Sequence, residues 1–336
     1  VLGRAFARAG LPLLSASALT QFVTLAGGAL PPEDRDEMTA LAVLYRQQAQ
    51  LKPVAERPLL SGKSNLDLSK GMPTVECRVH GRPARFILDT GAEMSLIDPA
   101  FGSSIGVEPV GNIHFLLHGN TGSVPVNGSF LRELDVGTVS VRNHPVLLLD
   151  LSFLSKELDV QGVLGVQSVF GPLCLLLDLA EGRLEILKTA PTICTGMKRV
   201  SGWLPLWCLL GRDLAFTSIT IEGTGMGKKC DALVHLDTGG RRSTVTELFV
   251  KKTGLKTSAP VKRAALGVSA AVVERPTIKT LGIRAGPLQF RLCDVEAIGS
   301  DGTEWITADG KLGMDVLHSC RVILDYPRAR WCLCRP

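Results

Sequence analysis

The triplet Asp-Thr-Gly occurs twice, at Asp89-Thr90-Gly91 and at Asp237-Thr238-Gly239, each time closing a short apolar run. Downstream, Val163-Leu164-Gly165 and Lys311-Leu312-Gly313 stand at the same distance from their aspartates (89 to 165, 237 to 313). One such triplet arises by chance in about 5% of chains of this length, and two in about 0.1%, before matching flanks are required. Chance is thereby set aside. An internal repeat in register predicts two copies of one domain.

The surroundings of the triplets read as strands. Val75–Val79 alternates, His80-Gly81-Arg82-Pro83 makes a turn, and Ala84–Leu88 is a second apolar run. Phe216–Ile221 and Ala232–Leu236 repeat that hairpin ahead of Asp237. A chain of 336 residues is long enough for two domains, each with its own core. The expected division is 1–32, a signal peptide or N-terminal anchor; 33–71, a helix near Asp36–Leu51 and a linker or pro-segment; 72–190, a first lobe; 191–203, a linker; and 204–336, a second lobe.

The residue types carry a definite chemistry. A carboxylate at the end of a buried strand must be held by hydrogen bonds, and Gly permits a tight turn with close approach of backbone N–H groups. Thr adds a hydroxyl able to bond across to a partner loop. Two such loops face to face bring two carboxylates near enough to share one proton, since both cannot ionise at short range. Asp89 and Asp237 are the candidate catalytic pair, and Thr90, Gly91, Ala92, Thr238, Gly239 and Gly240 their supporting loops.

On these residues the chain resembles the retropepsin-like aspartic proteases, a family in which this sharing of a proton is established. Phe86–Ala92 with Ser95 and Ile97 is similar to the family's active-site strand. Leu134-Asp135-Val136-Gly137 with Val141-Arg142-Asn143 and Pro145 resembles its later hairpin. Val163-Leu164-Gly165 matches the element that packs behind the loop. Leu312–Leu317 with Ile323–Pro327 resembles bacterial members in a duplicated, single-chain form. The resemblance covers about residues 73–188 and 204–334. It implies a mainly β fold of two homologous acid-protease barrels with a cleft between them, and endopeptidase activity through an activated water. It also implies a protein or peptide substrate in extended conformation, no metal, no cofactor, and a monomer with pseudo-twofold symmetry. It places flap tips at Asn120, Thr121 and Gly122 and at Gly267 and Val268; an ordinary surface hairpin is the other reading of those Gly-rich turns.

The second half departs from the first. Gly240 stands where Ala, Ser or Thr is usual, and Lys311 replaces an apolar residue. Arg241 and Arg242 follow the loop, either solvated or paired with an acid such as Asp315. His235 takes the place of Ile87, on the same strand face as Asp237, so Ile87 and His235 are the expected pocket residues. These departures leave a second reading open, a catalytically inactive peptide-binding module.

Other signals narrow the field. The net charge is only +5 and basic residues are dispersed, so nucleic-acid binding has no support. Gly223–Lys228 fails as a phosphate loop because Lys229 stands where Ser or Thr is required. His114 and His118 fall on a strand, and Cys332 with Cys334 is too few ligands for zinc. The nine cysteines read as small core residues. Arg4 and Arg8 precede an uncharged stretch from Ala9 to Pro32, which suggests an exported or membrane-associated protein, with contact to a membrane only through this segment. Its alternatives are a helix packed on the body and a cytoplasmic location.

Overall fold

Short apolar runs become strands where alternate residues can be buried, and here they do so in two matching sets. The structure is a computed structural model and describes residues 2–51, 61–111, 113–119, 121–190, 199–208, 214–223, 229–267, 269–299 and 308–335. The chain opens with helices α1 (Leu2–Arg8), α2 (Pro12–Ala26) and α3 (Pro32–Gln50). The first half then supplies β1 (Gly62–Asp67), β2 (Thr74–Val79), β3 (Arg82–Asp89), β4 (Ser95–Ile97) and β5 (His114–Gly119). It continues with β6 (Gly122–Val136), β7 (Val139–Leu148), β8 (Gly162–Gly165), β9 (Cys174–Asp178) and β10 (Arg183–Leu187). Three short strands follow, β11 (Arg199–Val200), β12 (Leu204–Pro205) and β13 (Trp207–Cys208). The second half holds β14 (Ala215–Gly223), β15 (Cys230–Leu236), β16 (Thr244–Thr246), β17 (Val261–Leu266) and β18 (Ala270–Arg275). It ends with β19 (Thr277–Ala285), β20 (Leu288–Ile298), β21 (Gly310–Leu312), β22 (Arg321–Asp325) and β23 (Arg330–Arg335).

The two halves pair alike. In the first, β2 and β3 form a hairpin, β3 runs parallel to β8, β4 parallel to β7, and β6–β7 is a hairpin. In the second, the same connections are made by β14–β15, β15 with β21, β16 with β20, and β19–β20. The parallel pairing sets Asp89 opposite Gly165. A side chain at Gly165 would come within 2.8 Å of the Ala92 carbonyl, and one at Gly313 within 2.4 Å of the Arg242 backbone. Only Gly lets the active-site loop lie so close to this element, which accounts for its glycine.

Strand periodicity divides the cores. On β3, Phe86 and Leu88 enter the main core while Ile87, between them, enters a second core with Leu41, Leu44 and Tyr45 of α3 and with Val163. Three consecutive buried residues are explained by cover on both faces. Each fully buried Leu contributes about 2 kcal/mol, so α3 is held by its apolar face far more than by helix propensity. Two polar contacts fix its approach: Gln48 Nε2 donates to the Asn143 carbonyl at 2.8 Å, and Arg4 of α1 pairs with Glu37 at 2.9 Å. On β15 the face opposite the core is left half-open at His235.

The lobes are stitched by an antiparallel pair, β9 with β22, centred on Leu176 opposite Ile323. At its end lies Asp178, 2% exposed, which accepts from Arg183 at 3.0 Å and from Arg321 of the other lobe at 2.6 Å. Burial pushes the Asp178 carboxyl up, but the bonds from Arg183 and Arg321 outweigh it and hold it below the usual range.

Several expectations are adjusted. Gly62–Asp67, read as linker, is a strand between β10 and β2. Residues 2–26 form helices packed on the body, with Ala16 and Leu19 buried, and no helix among the described residues is long and apolar enough to cross a membrane. Cys77, Cys174, Cys320 and Cys332 are buried free thiols, whereas Cys334 is disulfide-bonded, which spacing did not imply. The turn at 224–228 lies outside the described residues.

Replacing Asp178 by Ala leaves two arginines facing a hole at the lobe junction. The expected loss is about 3 kcal/mol of stability, read by urea unfolding; a loss below about 0.5 kcal/mol would show that the junction does not depend on this group.

Candidate active site

The strands β3 and β15 end at the same place and present their loops to each other. Thr90 N–H donates to Thr238 Oγ1 and Thr238 N–H to Thr90 Oγ1, both at 3.0 Å. Thr90 Oγ1 donates to the Leu236 carbonyl at 2.7 Å, and Thr238 Oγ1 to the Leu88 carbonyl at 2.6 Å. Both threonines are buried, at 2% and 0% exposure. The hydroxyl is the smallest group that both donates and accepts, and each Thr uses both capacities across the junction.

This grip brings the carboxyls together. A methyl group on Gly91 would stand 2.6 Å from Asp237 Oδ1 and 3.1 Å from Asp89 Oδ1, so one small group would touch both. Asp89 Oδ1 accepts from Gly91 N–H at 2.6 Å and from Gly239 N–H of the other loop at 3.2 Å. Asp237 instead meets Lys311, whose Nζ lies 2.5 Å from Oδ2. Burial and the neighbouring Asp237 charge raise Asp89 to about 7, against opposition from Gly91 and Lys311. Burial acts to raise Asp237 as well, but Lys311, His235 and the Gly240 amide outweigh it and hold Asp237 below the usual range.

Behind each loop stands a serine at the same offset from its aspartate. Ser95 Oγ accepts from Gly165 N–H at 3.2 Å and lies 2.9 Å from His144 Nε2; burial pushes that imidazole down to about 4, which keeps it neutral. Ser243 Oγ accepts from Gly313 N–H at 3.0 Å and donates to Asp315 Oδ1 at 2.6 Å. Ser95 was legible as part of the first motif. Ser243 was missed, although its offset from Asp237 repeats that of Ser95 from Asp89.

The remaining expected site residues fall as follows. Ala92 and Gly240 occupy matching loop positions. Ile87, expected in a pocket, is 3% exposed and closed into the core beneath α2 and α3. His235 is half-buried and meets the Phe216 ring edge-on at 5.9 Å. Arg241 pairs with Glu157 and donates to the Lys70 carbonyl, while Asp315, its expected partner, is taken by Ser243. Asn120 and Val268 lie outside the described residues. Their hairpins, β5–β6 and β17–β18, are formed. The two tips meet: Ser269 N–H donates to Thr121 Oγ1 at 3.1 Å, and a side chain on Gly267 would strike that hydroxyl at 2.8 Å. Gly122, at φ 122°, opens β6 in a conformation suited to Gly. Glu93, in the first loop, is bound at 3.0 Å by Arg4 of α1. Among the described residues no group of His, Cys, Asp and Glu side chains is arranged to hold a metal ion.

Residues 75–167 match a protein-family model described as aspartyl protease. No curated protein matches the chain. Among solved structures that do, the crystal structure of aspartic proteinase from Irpex lacteus aligns with 82% of this chain and 97% of its own, at TM-score 0.51 and 14% identity. The fold is that of the aspartic proteinases, mainly β in two lobes.

Two outcomes are expected. Thr238→Ala removes a donor to Leu88 and an acceptor for Thr90 in a buried junction, at a cost of about 2–4 kcal/mol, whereas Thr238→Ser costs below about 1 kcal/mol; chemical denaturation compares them. The second concerns pH. An unfolded Asp titrates near 3.8 and folded Asp89 near 7, so the stability tied to its proton is complete below about 3.8 and lost as pH rises through 7. Asp89→Asn, which needs no proton, should match wild type at pH 4 and exceed it by about 4 kcal/mol at pH 8, the linkage of about three pH units between the two midpoints. Parallel stability curves for the two proteins across that range would contradict this assignment.

Proposed function

We propose that the chain is an aspartic endopeptidase whose hydrolytic water is activated by Asp89 and Asp237 together. The observation that carries this reading is the reciprocal threonine grip, which holds two carboxyls within reach of one small group. Of such a pair one member is ionised and the other protonated near neutral pH. The ionised member takes a proton from water as the oxygen attacks the peptide carbonyl carbon. The protonated member gives its proton to the carbonyl oxygen, and a tetrahedral diol results. Collapse breaks the C–N bond, a proton passes to the departing nitrogen, and an acid and an amine are released.

The substrate is a protein or peptide in extended form, bound through backbone hydrogen bonds beneath the paired hairpins of Thr121 and Ser269. The chain acts as one unit, its two lobes copies of one ancestral domain joined through β9 and β22. Burial of Ile87 and Val163 in one core with residues of α2 and α3 makes the wall beside Asp89 apolar and closed. Cys334's disulfide favours an oxidising, exported setting.

A second reading, a non-catalytic peptide-binding module, is favoured by one observation: Lys311 already occupies Asp237 Oδ2. Cleavage of an unfolded protein or a peptide library from pH 3 to 8 separates the two. Wild type is expected to cleave, and Asp89→Asn and Asp237→Asn each to lose at least about 100-fold with folding intact. An inactive wild type that also fails to bind a statine-type peptide would leave the binding-module reading in place.

A further inference from the structure

We propose that Lys311 is the positioning residue of the dyad: its ammonium fixes Asp237 as the ionised member and leaves the single shared proton on Asp89. The inference rests on reading the pair as a hydrolytic dyad and assigns which member is base and which is acid.

The first support is geometric. Lys311 Nζ lies 2.5 Å from Asp237 Oδ2, and the two residues are 8% and 5% exposed. A lysine buried this far is tolerated only beside an opposite charge, and removing either partner strands the other. Counting charge within the site, two carboxylates and one ammonium balance when one proton is added. Direct contact with Lys311 keeps that proton off Asp237, while the donors to Asp89 Oδ1 among the described residues are the amides of Gly91 and Gly239.

The second support is that the lobe is shaped for the pair. Register sets Lys311 beside His235 on the parallel strands β21 and β15. The matching positions of the first lobe are Val163 beside Ile87, both apolar and both buried. A lysine here is therefore a polar exchange at one specific position of a repeated frame. Gly240 complements it. A side chain at Gly240 would lie 2.5 Å from Asp237 Oδ2, the oxygen that Lys311 binds, whereas the first lobe carries Ala92 at that point. Asp237 leans into the space that the missing side chain provides.

The charged groups acting on Asp237 are Lys311, His235 and Asp89. Arg241 is taken up by Glu157, and Asp315 by Ser243. The charge of His235 acts on Asp237 in the same direction as that of Lys311 and does not compete with it. A dyad built this way keeps one proton from below the usual carboxylate range up to the loss of the Asp89 proton near 7. Its two carboxyls do not exchange roles.

The test is carboxyl titration by carbon-13 NMR of the full chain with labelled aspartate, Asp89 and Asp237 being assigned from the two Asn variants. In wild type, Asp89 should titrate near neutrality and Asp237 below the range of an ordinary aspartate. In Lys311→Met, which keeps the length without the charge, the Asp237 midpoint should rise by at least one pH unit. Gly240→Ala, which pushes the carboxyl from Lys311 while leaving the cation in place, should move it the same way. In the cleavage assay, the acid limb of the Lys311→Met profile should rise by a similar amount. An Asp237 midpoint unmoved in both variants overturns the proposal, as does an Asp89 that titrates below Asp237 in wild type. If the midpoints behave as stated and no protein cleaves peptide, the proton assignment stands and the hydrolytic reading alone fails.

Discussion

Everything at the centre of this molecule depends on four hydrogen bonds between two threonines and the strands that carry them. Each hydroxyl accepts the amide of the other Thr and donates to the carbonyl before the other aspartate. These amides, hydroxyls and carbonyls belong to buried residues, so an unmade bond would carry the full cost of a buried polar atom. That cost ties lobe to lobe at one point. The two loops can be correctly formed only together, and two carboxyls are held close against their mutual repulsion. The β9–β22 pairing supplies a further attachment, and with the contacts of Arg241 and of the hairpin tips it holds the lobes in their mutual orientation.

Much of this was legible in the chain because repetition is a strong signal. The paired triplets, the equal spacing to Gly165 and Gly313, and the apolar strands ahead of them follow from backbone requirements that leave little freedom of residue choice. The opposition of Thr90 and Thr238 followed from the need of a buried hydroxyl for a partner. Other features rest on information no local pattern holds. Ile87 has the strand position of a pocket residue, and nothing in β3 says that α2 and α3 will cover it. Gly62–Asp67 is short and polar, and becomes a strand because β10 and β2 offer it two edges. Arg241 was matched with Asp315 as an available acid, but Ser243 satisfies that carboxylate and Arg241 pairs with Glu157.

Ser243 and Lys311 show the two ways a signal is overlooked. Ser243 repeats Ser95 in register, so alignment of the halves was sufficient to find it; its role, capping the Gly313 amide, is that of Ser95 toward Gly165. The third partner differs, His144 in one lobe and Asp315 in the other, and this blurs the repeat. Lys311 was visible as a departure, yet its meaning required the side chain's direction. A lysine in a packing element reads as a defect until its ammonium is seen on a buried carboxylate.

A symmetric frame with one asymmetric wall has a physical logic. Two identical carboxyls at short range are degenerate, and the proton between them has no preferred home. Apolar residues on both sides would preserve that degeneracy; Ile87 and Val163 do so on the first side. On the second, His235 and Lys311 put positive charge closest to Asp237, and act on it more strongly than on Asp89. The backbone scaffold, the grip and the glycines are indifferent to this change, because the altered side chains point away from the core that Val234, Leu236 and Leu312 share. The face of the strand that does not build the fold is therefore free to set the charge of the site, and it is there that the two halves of this chain part company.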